Sequence, residues 1–138
     1  MSAPDFLDSN VLVYAYDVSD PRKQHIAQDL VRKAIGGDIV ISTQVLAEFA
    51  ATLLHKLSPA VLPNDVLVIL NALGPIRLIF PDGDTVRRAI EARASYGLHL
   101  CDGMIVAAAE RAGCNRIWSE DLNPGQRYFG VAVDNPFD

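Results

Sequence analysis

Four acids in this chain stand where an acid is expensive. Asp8 lies between Phe6-Leu7 and Val11-Leu12-Val13. Glu48 is the only formal charge between Thr43 and Leu54, among Val45, Leu46, Phe49, Leu53 and Leu54. Asp102 is the only formal charge between Ala94 and Ala109. Asp121 follows a segment carrying Ile117 and Trp118. An ionised carboxylate in apolar surroundings costs several kcal/mol unless it is paired. No Lys or Arg lies within one helical turn of Glu48 or Asp102. The compensating charge must come from elsewhere in the fold or from a bound cation. Carboxylates gathered at one point repel each other and hold protons more tightly. A hard divalent ion such as Mg²⁺ or Mn²⁺, which prefers oxygen ligands, relieves that repulsion. One or two such ions suit in-line displacement at phosphorus. The chemistry these residues point to is metal-dependent phosphodiester hydrolysis.

The elements that must position the acids alternate between short β-branched runs and longer helical patterns. Strands are expected at Asp5 to Asp8, Ile39 to Ile41, Arg77 to Phe80 and Asn115 to Ser119, with a fifth at Gly130 to Asp134. Helices are expected from Val11 to Tyr16 after Ser9-Asn10 as caps, from Pro21 to Gly36, and from Thr43 to Lys56. Others are expected from Pro63 to about Gly74, from Asp82 to Tyr96, and from Leu100 to Ala112. Such alternation argues for βαβ units: an α/β three-layer sandwich with a central parallel sheet of four to five strands flanked by helices. In a parallel sheet, Asp8 and Asp121 end or follow strands at one edge, where ligands bind. Asp102 lies in the first turn of its helix, where the dipole favours an anion. Glu48 is about a turn and a half into its helix and can reach the same edge. Because both the Glu48 and Asp102 helices are apolar nearly all round, they are expected to be buried.

Each acid has an ordinary alternative. Asp8 could cap a helix, Asp102 could be a helix-start acid, Asp121 a turn residue and Glu48 a member of a buried ion pair. Their joint occurrence at compatible strand ends favours one site.

The 138 residues fit one domain spanning 1–138. Half of them are hydrophobic and 21% are charged, which argues against a disordered chain and suggests a buried partner surface or a self-interface. A net charge of −5 excludes binding through a broad basic face, so any nucleic-acid phosphates must be neutralised by bound cations. Cys101 and Cys114 form no CxxC pair and sit in apolar stretches, reading as buried free thiols in a reducing compartment. No apolar run approaches the ~18 residues of a membrane span, and the reading is a soluble, cytoplasmic protein with no membrane partner.

Four segments together resemble a known family. Phe6-Leu7-Asp8-Ser9-Asn10-Val11-Leu12 is similar to the opening of PIN-domain nucleases, and Gln44-Val45-Leu46-Ala47-Glu48-Phe49 to the segment carrying their second acid. The stretch from Leu98 to Ala109 around Asp102 resembles the third, and Trp118-Ser119-Glu120-Asp121-Leu122-Asn123 the fourth. The tail from Gly130 to Phe137 also resembles an ending common in one branch of the family, and the whole match is most similar to the single-domain VapC-like toxins of toxin–antitoxin modules. The resemblance implies a PIN-like fold and Mg²⁺- or Mn²⁺-dependent RNA hydrolysis. It also implies a homodimer and a cognate antitoxin that blocks the acidic site. It assigns metal binding and catalysis to Asp8, Glu48, Asp102 and Asp121, and an orienting role to Asn10 and Ser119. Glu120 is a further contact candidate.

Other residues carry weaker signals. Arg127, close after Asp121, is the arginine most suited to grip substrate phosphate. Arg87, Arg88, Arg93, Arg111 and Arg116 read as solvated. His25 and His55 read as surface residues and His99 as a helix-start residue. Tyr14, Tyr16, Tyr96 and Trp118 could stack on bases but read as core. Two other readings compete with the ribonuclease. One is a non-catalytic interaction domain that binds a basic peptide or a structural cation. The other is a DNA-directed nuclease with the same metal chemistry.

Overall fold

The computed structural model describes residues 3–138; residues 1–2 of the expected domain lie outside the described residues. Phe6 and Leu7 are fully buried and form the last two residues of β1 (Asp5–Leu7). Helices α1 (Ser9–Tyr14) and α2 (Pro21–Ile35) lead to β2 (Ile39–Ser42), whose four residues are all buried. Next come α3 (Thr43–His55), α4 (Pro63–Ala72) and the short strand β3 (Leu78–Ile79). The pair α5 (Gly83–Tyr96) and α6 (Leu100–Arg111) returns the chain to β4 (Arg116–Trp118). The chain ends with β5 (Arg127–Tyr128) and β6 (Val131–Asp134).

The sheet has six strands in the order β3-β2-β1-β4-β6-β5. Five run parallel, as expected. The sixth, β5, is a two-residue antiparallel edge on β6 that the sequence reading did not include. Parallel crossovers are right-handed. The steps from β1 to β2 to β3 therefore place α1 to α4 on one face. The return step to β4 places α5 and α6 on the other, giving the three-layer sandwich.

The chain reverses direction across the sheet between β1 and β4, the switch point where α/β sheets bind ligands. Leu7 pairs with Trp118, and the Asp8 N–H donates to the Trp118 carbonyl at 3.0 Å. The residues that follow these two strands are therefore neighbours.

The first helix begins earlier than expected, at Ser9, because Asp8 itself is the N-cap and accepts from the Ser9 N–H. Ser9 and Asn10 are helical residues, not caps. The α3 helix is also less buried than its composition suggested. The stripe Val45, Phe49 and Leu53 is fully buried and Leu46, Ala50 and Leu54 pack partly against the core, while Ala47 and Ala51 are exposed. Ala occupies a helix face without driving its burial. The α5–α6 pair packs closely enough that a Cβ on Gly103 would lie 2.8 Å from the Ala89 carbonyl oxygen. Glycine is required there, directly after Asp102. Among the described residues no helix is long and apolar enough to cross a membrane.

Candidate active site

Asp8 is 5% exposed, and its carboxylate is held from three sides. Oδ1 accepts from the Ser9 N–H at 2.8 Å. Oδ2 accepts from the Ser119 hydroxyl at 2.8 Å and from Asn10 Nδ2 at 3.2 Å. Ser119 is itself fully buried, and its Oγ accepts from the N–H groups of Asp121 and Leu122 at 3.3 and 3.2 Å. It fixes the turn after β4 and ties that turn to Asp8. Asn10 completes the frame. Its Nδ2 also reaches Asp121 Oδ2 at 3.1 Å, and its Oδ1 accepts from the Glu120 N–H at 3.0 Å. Asn10 and Ser119 thus both hydrogen-bond Asp8 and both bond the segment that carries Asp121.

The other two acids approach from helices. Glu48 lies beyond the first turn of α3, which Ser42 caps by accepting from the Val45 N–H. Asp102 lies in the first turn of α6, which begins at the sheet's carboxyl edge and is capped by the His99 ring. Burial raises the Asp8 carboxyl above the usual carboxylate range against the pull of its hydrogen bonds, with Asp102 and Asp121 adding to the rise. Burial, then the charges of Asp8 and Asp102, does the same to Glu48, opposed by the neighbouring Gln44 side chain and by Lys56. Burial and Asp121 raise Asp102, opposed by His99. Asp8, Glu48 and Asp102 are thus each raised in part by the charge of a neighbouring acid. Glu48 Oε1 is buried without a hydrogen-bond partner.

A groove of about 420 Å³ opens beside the acids, lined in part by Asn10, Glu48, Asp121, Asp17 and Lys56. Glu120 also lines it, but its carboxylate is held by Lys23 and by the Tyr14 hydroxyl at 2.9 Å, apart from the acid cluster. Lys23 in turn sits over the rings of Tyr14 and Phe137. Sequence reasoning missed this cluster because its members are distant along the chain. It also missed Lys56, two turns beyond Glu48, whose charge eases the cost of ionising Glu48.

Arg127 is exposed on β5 and donates to the Gly130 carbonyl at 3.3 Å; it does not line the groove. Arg88 is not a free surface charge. It pairs with Glu110 and Glu91 and covers the Phe129 ring at 3.5 Å. Arg116 pairs with Asp5 and Asp134 and covers Trp118. His25 and His55 are exposed, as expected. Tyr96, expected in the core, is 39% exposed and packs edge-on against Tyr128 and Phe129. Cys114 is buried, and burial pushes its thiol up to about 12. Cys101 is exposed, against expectation. It lies in the first turn of α6, where Leu100 is also exposed, before the helix reaches its buried stretch from Ile105 to Ala109.

Among the described residues, no three His, Cys, Asp or Glu side chains are arranged to hold a metal ion as they stand. Asn10 Nδ2 spans Asp8 and Asp121 instead. The donor set nevertheless fits a hard divalent cation. It is all oxygen, its charges repel, and Glu48 Oε1 has no donor.

A comparison with curated protein sequences finds no match. Solved structures share the fold. A toxin–antitoxin complex from Klebsiella pneumoniae matches with a TM-score of 0.70 at 20% identity, covering 98% of each chain. VapC20 of Mycobacterium tuberculosis, a toxin that cleaves the sarcin-ricin loop, matches with a TM-score of 0.67 at 17% identity, over 85% of this chain and 89% of that one. VapBC2 of Rickettsia felis, bound to promoter DNA, matches with a TM-score of 0.68 at 18% identity, over 95% and 97%. The family model for the PIN domain matches residues 6–128, and the chain belongs to the PIN domain family.

Proposed function

We propose that this protein is a divalent-metal-dependent endoribonuclease, the VapC-like toxin of a toxin–antitoxin pair. The observation that carries the reading is the gathering of four acids at the switch point: Asn10 joins Asp8 and Asp121 by hydrogen bonds, Glu48 and Asp102 are raised by burial and by neighbouring acids, and Glu48 Oε1 is left unpartnered. These four acids would hold Mg²⁺ or Mn²⁺. Such an ion supplies an activated water nucleophile and neutralises charge developing at phosphorus.

The chain's own residues do the rest. Ser119 and Asn10 hold Asp8 Oδ2, and the Ser9 N–H holds Oδ1, so this carboxylate cannot swing away. Asn10 ties Asp121 to the same frame. The first turn of α6 favours the charge on Asp102 through its dipole. Lys56 is the cation lining the groove and would meet a substrate phosphate.

The acidic lining of the groove suits a basic segment of an antitoxin, which would block access to the site. Membership of a homodimer is part of the reading, and apolar side chains exposed on α4, Leu67 and Val68, offer surface for it. So is a cytoplasmic location, where RNA is the substrate at hand.

The test is incubation of purified, antitoxin-free protein with a mixed cellular RNA pool, with Mn²⁺ or with chelator, beside Asp8→Asn. The reading expects discrete cuts that need Mn²⁺ and are absent in the variant. Cleavage of duplex DNA in preference to RNA would transfer the chemistry to a DNA-directed nuclease. No cleavage of either, with binding of a basic peptide, would favour an interaction domain.

A further inference from the structure

Glu48 and Asp102 are carried by helices on opposite faces of the sheet. The two helices, α3 and α6, share no extended packed interface. One side chain spans them. Gln44 Nε2 donates to the Cys101 carbonyl at 3.0 Å, and among the described residues this is the one side-chain hydrogen bond joining α3 to α6. Gln44 lies one turn before Glu48, and Cys101 directly precedes Asp102. The orientation of the amide is fixed by chemistry, because turning it over would set Oε1 against the Cys101 carbonyl. That orientation leaves Gln44 Oε1 buried without a donor, as Glu48 Oε1 is. A buried amide oxygen left unpaired carries a cost. The bridge is retained despite it.

We propose that Gln44 is a positioning residue whose amide bridge to Cys101 sets the span between the Glu48 and Asp102 carboxylates, and so the affinity and size preference of the site for divalent cations. The proposal rests on the metal-nuclease reading above. A fixed span discriminates between ions by the length of their bonds to oxygen, about 2.0–2.1 Å for Mg²⁺ and about 2.3–2.6 Å for Ca²⁺. Loosening the span costs the smaller ion more.

The test is calorimetric titration of the full chain with Mn²⁺ alone and with Ca²⁺ alone. Wild type is compared with Gln44→Met, which keeps the side chain's length but has no donor. Gln44→Leu serves if the first variant does not fold. Melting in chelator monitors the fold. Mn²⁺ binding is expected to weaken about tenfold, the scale of lost supporting contacts at metal sites. Ca²⁺ binding should weaken less, and the melting temperature in chelator should be unchanged or higher. Unchanged Mn²⁺ affinity would overturn the proposal. So would equal losses for both ions, which would indicate a lost ligand, or a loss of affinity accompanied by a fall in melting temperature. Absence of Mn²⁺ binding by the wild type would instead overturn the metal-nuclease reading itself.

Discussion

Replacing Glu48 with Gln should stabilise the protein in the absence of metal while abolishing its activity. Glu48 Oε1 is buried and unpartnered, and the carboxyl is pressed by burial and by Asp8 and Asp102. An unpaired buried acceptor costs roughly 1–3 kcal/mol. A glutamine amide of the same length brings two N–H donors among these acids and removes the charge. Because Glu48 is only partly buried as a whole, the gain should fall at the low end, about 1 kcal/mol. For a chain of this size that is roughly 3–4 °C in Tm. The pH dependence has a definite sign. Folding raises the Glu48 pKa, so the folded state binds its proton more tightly, and ionisation lowers wild-type stability as pH rises through the raised value. The advantage of Glu48→Gln should vanish below the ordinary carboxylate pKa and grow to a plateau above the raised one. Thermal melts in chelator across that window measure it. A parallel melt with Mn²⁺ should invert the order, because a cation at a hundred times its Kd adds about 2.7 kcal/mol to whatever binds it. A variant less stable than wild type in chelator at neutral pH would refute the reasoning, since Glu48 would then be part of a satisfied structural ion pair.

Three further substitutions separate the parts of the site. Ser119→Ala leaves the Asp121 and Leu122 N–H groups without their acceptor and frees Asp8 Oδ2; denaturant melts should show a loss of about 1–3 kcal/mol together with weaker Mn²⁺ binding. Lys56→Gln should weaken RNA binding with little change in the metal-saturated cleavage rate, and should flatten the salt dependence of binding by about 0.7 in log–log slope, as for one lost phosphate contact on a single strand. Glu120→Gln should retain metal-dependent cleavage in the same assay, because Glu120 is held by Lys23 and Tyr14 and not by the acid frame.

The parallel sheet and the meeting of Asp8 with Asp121 were legible because both follow short apolar strands, and β1 and β4 pair in parallel. Asp102 was legible because α6 must start at the edge where β4 ends. What composition could not supply was the direction of each helix face. The apolar run from Thr43 to Leu54 suggested full burial, yet Ala47 and Ala51 face solvent, as do Leu67 and Val68 on α4. Exposed apolar residues carry no local signal distinguishing them from core. The two-residue β5 is set by pairing with β6 across a tight turn at Phe129 and Gly130, both with positive φ, and not by its own sequence. Links such as Gln44 to Cys101 and Tyr14 to Glu120 join residues far apart in the chain, and only the fold brings them together.

The most direct test of the central claim is crystallisation of the protein with Mn²⁺ and an anomalous difference map. The account predicts a peak bounded by oxygens of Asp8, Glu48, Asp102 and Asp121, lost in Asp102→Asn crystals. Ordered crystals with no peak at these carboxylates, or with Mn²⁺ bound only elsewhere, would contradict it.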